Sequence, residues 1–162
     1  MSVLTMSEEQ IRGGHEQHRL LAEQFAAAVD ADVAANRIRA LVHRYFSLIE
    51  DRSASILDLH ELFADSFLLE FTMVTITNVD ELAAWVSDMH QNFAAYTLVV
   101  LDLSIDDSAQ KLATTVTIDL ELHGIAANGD RRELSTRHVW TVERTPGEQF
   151  DSISAITVEH RE

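Results

Sequence analysis

The hydrophobic period of this chain changes once, and that change limits what it can fold into. Up to residue 92 the apolar side chains recur mainly at helical spacing, interrupted by one apolar, β-branched run. From Tyr96 onward they recur every second residue. Across 111–123, Leu112, Thr114, Val116, Ile118, Leu120 and Leu122 take one face. Lys111, Thr115, Thr117, Asp119, Glu121 and His123 take the other. Such alternation marks an antiparallel strand with one covered face. Helices followed by antiparallel strands predict an α+β domain, a curved antiparallel sheet wrapped around helices with a pocket open at one end.

The elements can be placed from local signals. Ile38, Leu41, Val42, Tyr45, Phe46 and Ile49 form an apolar stripe on a helix over 35–50. Ser55 and Asp58 cap a second helix over 56–63, stopped by Asp65-Ser66. Residues 67–76 are rich in β-branched and aromatic types and predict one or two short strands. Asn78 and Glu81 open a third helix to about residue 92, burying Leu82, Trp85, Val86 and Met89. Strands follow over 96–105, 111–123, 132–144 and 149–160. Turns are expected at Asp106-Asp107-Ser108, at Asn128-Gly129 and at Thr145-Pro146-Gly147-Glu148. Ser7 and Gln10 form a capping box ahead of a further helix, interrupted by Gly13-Gly14 and punctuated by Asp30-Ala31-Asp32 and Asn36. Residues 1–34 therefore read as an N-terminal helical extension and 35–162 as the main domain.

Charge and composition exclude several classes of function. Against 27 acidic residues stand 12 lysines and arginines, a formal charge of −15. A phosphate backbone or an anionic membrane needs a basic face, so neither nucleic acid nor membrane is expected as a partner. Cysteine is absent, which removes disulfides, thiolate nucleophiles and cysteine metal sites. The five glycines are scattered and form no phosphate-cradling loop, and no Gly-x-Ser-x-Gly elbow occurs. No cofactor is expected. His15, Glu16 and His18 share a helical neighbourhood but lack a third well-placed ligand, so no metal site is expected either. The N-terminal stretch lacks a basic region followed by an apolar run, and a cytoplasmic protein is the default reading.

Several segments carry a resemblance. They are Arg44-Tyr45-Phe46-Ser47-Leu48-Ile49-Glu50-Asp51, Leu62-Phe63-Ala64-Asp65, the run from Phe67 to Phe71, and Val142-Glu143-Arg144-Thr145-Pro146-Gly147-Glu148-Gln149-Phe150. Over about residues 36–160 the chain resembles the nuclear transport factor 2-like superfamily, in particular its SnoaL-like and ketosteroid-isomerase-like members. The resemblance implies a cystatin-like α+β fold, a curved antiparallel sheet wrapped around helices, with a cone-shaped pocket for a small molecule. It also implies that Tyr45 matches a tyrosine which donates to an enolate oxygen. The position of the proton-moving acid falls on Phe71, with Glu70 beside it. The position of a second acid falls near Trp140.

The candidate residues follow. His138 shares a strand face with Leu134, Thr136, Trp140 and Val142, the face expected to point inward. It reads either as a general base near neutral pH or as a core histidine bonded to backbone. Tyr45 reads as a pocket donor or as a buried ring with its hydroxyl at the rim. Glu70 alternates with Leu69 and Phe71, which points it outward; turned inward, it would be a desolvated base. Trp140, Phe71 and Trp85 read as pocket wall, and His90, ending the third helix, as a residue of the pocket mouth or a partner of the helix dipole. His160 is expected at the surface. Two functions fit. One is cofactor-independent acid–base catalysis of the isomerase, dehydratase or cyclase type on a small apolar carbonyl compound, using Tyr45, His138 and Glu70. The other is a non-catalytic ligand-binding or dimerisation module, a homodimer forming through the outer sheet face that carries Thr115, Thr117, Asp119, Ser135 and Arg137.

Overall fold

The computed structural model describes residues 7–106, 112–144 and 151–161. The chain divides between Ala34 and Ala35 into two units, taken separately below. Helix α1 (Glu8–Glu50) contributes to both. Its start is the expected reciprocal capping box. The Gln10 amide donates to Ser7 Oγ at 3.2 Å and the Ser7 amide donates to Gln10 Oε1 at 3.0 Å. In this first unit Ile11, Leu20, Leu21 and Phe25 are exposed. The break expected around residues 30–36 does not occur. The segment holds no proline, and its alanines are the best helix formers, which outweighs the weak preference of Asp and Asn for turns.

In the second unit the last turns of α1 bury the predicted stripe, with Ile38, Val42, Tyr45 and Ile49 at most 2% exposed. Each such aliphatic side chain contributes about 1.5–3 kcal/mol by leaving water. Helix α2 (Ile56–His60) is capped by Ser55, whose Oγ accepts the Leu57 amide at 3.2 Å. It is shorter than the sequence suggests, because Phe63 already belongs to a strand, β1 (Phe63–Glu70). The reason is long-range pairing. The Ile153 amide donates to Leu62 O at 2.8 Å, and Phe63 stands opposite Ile153. Strand β2 (Thr75–Ile76) follows, then helix α3 (Val79–Asn92). Asn78 Oδ1 accepts the Glu81 amide at 2.9 Å, as the cap signal predicts.

Four longer strands complete the sheet: β3 (Phe93–Ile105), β4 (Ala113–Ala126), β5 (Arg131–Glu143) and β6 (Ser152–Arg161). The strand order is β2-β1-β6-β5-β4-β3. β1 pairs with β6 in parallel; every other pairing is antiparallel. The register shifts between Phe93 and Ala95, between Val100 and Asp102, and between Thr141 and Val142. Irregularities of this kind bend a strand and raise its twist, and the sheet is accordingly curved and does not close. Its inner face is the one the alternation predicts: Thr114, Val116, Ile118, Leu120 and Leu122 are buried. Leu112 departs from the pattern and is 68% exposed, because β4 begins only at Ala113.

Two glycines have structural causes. Gly129 in the β4–β5 turn has φ of +93°, and its amide donates to Ala126 O at 2.9 Å. A Cβ on Gly124 would stand 2.9 Å from Phe93 Cδ1 and 3.1 Å from Ala95 O, where β3 is irregular. The expected turns at Asp107-Ser108 and at Thr145 to Glu148 lie outside the described residues. At the start of β6, buried Asp151 meets Arg37 of α1 at 3.3 Å.

Candidate functional site

Between the last turns of α1, the 71–74 segment, the later part of α3 and the inner sheet face lies a cavity of about 300 Å³. Phe71, Met73, Val74, Trp85, Met89 and Leu98 give it an apolar side. Phe71 and Trp85 stack nearly parallel, ring centres 4.6 Å apart and planes 7° apart. Strands β5 and β6 supply the polar side with Thr136, His138 and His160. Strand pairing explains this polar strip. Thr136 stands opposite His160 and His138 opposite Val158, so all four point to one face. Tyr45 and Phe46 reach the cavity from α1.

His138 is 6% exposed and packs edge-on against Phe46, centroids 5.5 Å apart. Its Nδ1 faces the indole Nε1 of Trp140 at 3.5 Å, a long hydrogen bond. Indole N–H can only donate, so Nδ1 accepts, and in the neutral ring the proton sits on Nε2. Burial favours that neutral ring and pushes the imidazole pKa down to about 4. Among the described residues Nε2 has no hydrogen-bond partner. It is thus an N–H donor available to a molecule in the cavity.

Tyr45 is fully buried, with Trp140 at 4.8 Å and Phe46 at 5.1 Å between ring centres. Its hydroxyl is covered and has no hydrogen-bond partner among the described residues. Burial raises its pKa far above the ordinary phenol value, with the nearby Tyr96 adding to the effect, so it stays a neutral O–H. Trp140, expected as pocket wall, is completely buried and does not line the cavity; its indole meets His138 from behind.

Two further expected residues lie elsewhere. Glu70 is exposed and does not line the cavity, in keeping with its alternation against buried Leu69. His90 lines a different cavity, of about 280 Å³, together with Asp51, Arg52 and Ser55. There its Nε2 lies 3.0 Å from Ile49 O, and the Arg52 guanidinium donates to His90 O at 2.7 Å. Tyr96 donates its hydroxyl to the same Ile49 carbonyl, while Glu50 accepts the Leu98 amide at 2.5 Å. Tyr45, His138, Phe71 and Trp85 thus converge on one cavity, and Glu70 and His90 stand apart from it. His160 and Thr136 join the cavity without having been singled out for it. Parity along β6 carries the missing signal, since His160 falls two and four residues beyond Val158 and Ile156 on one face.

Comparison with known proteins agrees with this architecture. Residues 33–149 match the SnoaL-like domain family. The chain belongs to that family. A nuclear transport factor 2-like superfamily protein from Salmonella enterica serovar Typhimurium superposes with a TM-score of 0.70 at 15% identity, over 81% of this chain and 93% of that one. A hexachlorocyclohexane dehydrochlorinase, LinA-type3 from Novosphingobium barchaimii, gives 0.65 at 14% identity over 81% and 91%. A proposed scytalone dehydratase from Novosphingobium aromaticivorans gives 0.67 at 13% identity over 83% and 89%. At these identities the likeness is one of fold. None of the curated protein sequences matches the chain. No helix among the described residues is long and apolar enough to cross a membrane.

Proposed function

We propose that this SnoaL-like domain binds a small, largely apolar organic molecule in the Tyr45–His138 cavity and acts on it by acid–base chemistry without a cofactor. The observation that carries this reading is the division of the cavity into an apolar side and one polar strip. Apolar surface gives affinity and a few polar groups fix orientation. No carboxylate is among the lining residues, although the chain as a whole carries a charge of −15. A neutral molecule with an oxygen acceptor, such as a carbonyl, suits the Nε2–H of His138 better than a cation does. Loss of a proton next to that carbonyl would place charge on the oxygen, where such a donor is worth most. Similar folds include a dehydrochlorinase and a proposed dehydratase, both eliminations. The test is titration of the protein with a series of aryl ketones and their deoxygenated hydrocarbons, followed by tryptophan fluorescence. Tighter binding of the ketones, weakened by His138→Leu, supports the reading; equal binding of both series contradicts it.

A second reading, pairing of two copies through the outer sheet face, has its own support. Arg137 grips Asp119 with Nε and Nη2 at 2.9 and 3.2 Å, and Arg161 joins at 3.1 Å. Beside this network Val99 and Leu101 are 38% and 53% exposed. Sedimentation of the protein and of Val99→Glu tests it: a dimer that dissociates in the variant is the expected result.

A further inference from the structure

We propose that His160 is the group that takes the proton from a molecule bound in this cavity, while His138 is held by Trp140 as a donor to the developing oxygen charge. This assignment rests on the reading above and divides one chemistry between two histidines.

The lining residues include three titratable side chains: Tyr45, His138 and His160. Two of them cannot serve as the proton acceptor. Tyr45 is a covered, neutral hydroxyl. His138 gives its Nδ1 lone pair to the Trp140 indole, which leaves Nε2 protonated and facing outward from that bond. Glu70, the carboxylate the sequence offers as base, lies outside the cavity. His160 has the complementary properties. It is exposed, and no hydrogen bond or ion pair occupies its ring among the described residues. One ring nitrogen of a neutral imidazole always holds a free lone pair. Exposure also lets the proton pass on to water.

Strand register gives the spacing. His160 stands opposite Thr136, and His138 opposite Val158, so the two histidines are diagonal neighbours on one face. Diagonal positions lie about 7–8 Å apart. A small ketone lying across that diagonal can turn its carbonyl oxygen to one ring and its α-hydrogen to the other.

The step balances within the substrate and these residues. The α C–H bond breaks and its proton joins a lone pair of His160. The electron pair forms the carbon–carbon double bond, and the carbonyl π pair moves to oxygen. That oxygen accepts the His138 Nε2–H hydrogen bond. Return of a proton from the His160 imidazolium to carbon restores the ketone. In heavy water the returned particle is a deuteron, so exchange reports the step without any net reaction.

The experiment uses 2-tetralone as probe with the full chain in heavy water. Three readings are taken: binding by tryptophan fluorescence, α-deuteration by proton NMR, and the tautomer of each histidine by nitrogen-15 NMR. Wild type should bind and exchange the probe. His160→Gln should still bind within about threefold yet lose exchange by about 100-fold or more, the range of a positioned general base. Free imidazole should restore exchange to His160→Ala, because this position is open, but not to His138→Ala. The nitrogen-15 spectrum should show His138 as the Nε2–H tautomer. Exchange that survives in His160→Gln, binding without exchange in wild type, or an Nδ1–H tautomer at His138 overturns the assignment. Failure of wild type to bind the probe instead contradicts the cavity reading on which it rests.

Discussion

The indole N–H of Trp140 points at Nδ1 of His138, two residues away on the same face of β5, at 3.5 Å. Residues i and i+2 of a strand share a face, so alternation alone brings this pair together. The contact turns a histidine that could be acid or base into one with a defined tautomer. Trp140→Phe removes the donor and frees Nδ1. We expect mixed His138 tautomers by nitrogen-15 NMR and a loss of about 1–3 kcal/mol of stability from the truncated core. An unchanged Nε2–H tautomer would show that some other contact sets it.

Acid should destabilise the protein through His138. Its pKa in the fold lies at about 4, below the ordinary value because burial penalises the cation. The unfolded chain, with an imidazole near about 6.5, therefore binds the proton first. Stability is fully present above that value, falls as pH drops through the interval, and levels off below the folded pKa. The interval corresponds to roughly 3 kcal/mol. Urea denaturation of wild type and His138→Gln at neutral and mildly acidic pH separates this from the many carboxylates common to both. Wild type should lose more stability on acidification; parallel losses would refute the linkage.

Tyr45→Phe should stabilise the empty protein. The hydroxyl is buried without a partner, and such a group costs about 1–3 kcal/mol. Removing it should raise the melting temperature or leave it unchanged. A clear fall would mean that a water or ligand oxygen satisfies the hydroxyl in solution.

Gly124→Ala should do the reverse. The added Cβ would press on the Phe93 ring and the Ala95 carbonyl. The ring can shift but the strand carbonyl cannot easily, so a loss of about 1–3 kcal/mol is expected. Gly129→Ala is strained for a different reason, its positive φ, and a thermal melt of each variant distinguishes a costly substitution from a neutral one.

How much of this was legible in the chain differs by element. Period decides burial, and the stripe Ile38 to Ile49 and the alternation Thr114 to Leu122 both lie buried where their spacing puts them. The caps at Ser7, Ser55 and Asn78 were equally readable, since each satisfies donors within its own turn. Tyr45, His138, Phe71 and Trp85 sit on faces that local pattern points inward, and they meet in one cavity. The sequence by itself therefore determined most element types, their inward faces and the family resemblance, because these depend on neighbours two to four residues away. Only the tertiary structure decided which strands pair. Parallel pairing with β6 pulls Phe63 out of the predicted helix. Register between β5 and β6 sets His160 beside Thr136. Packing at the end of α3 turns His90 toward the Ile49 carbonyl and another cavity. These outcomes rest on hydrogen bonds and contacts between residues tens of positions apart, which no local pattern encodes.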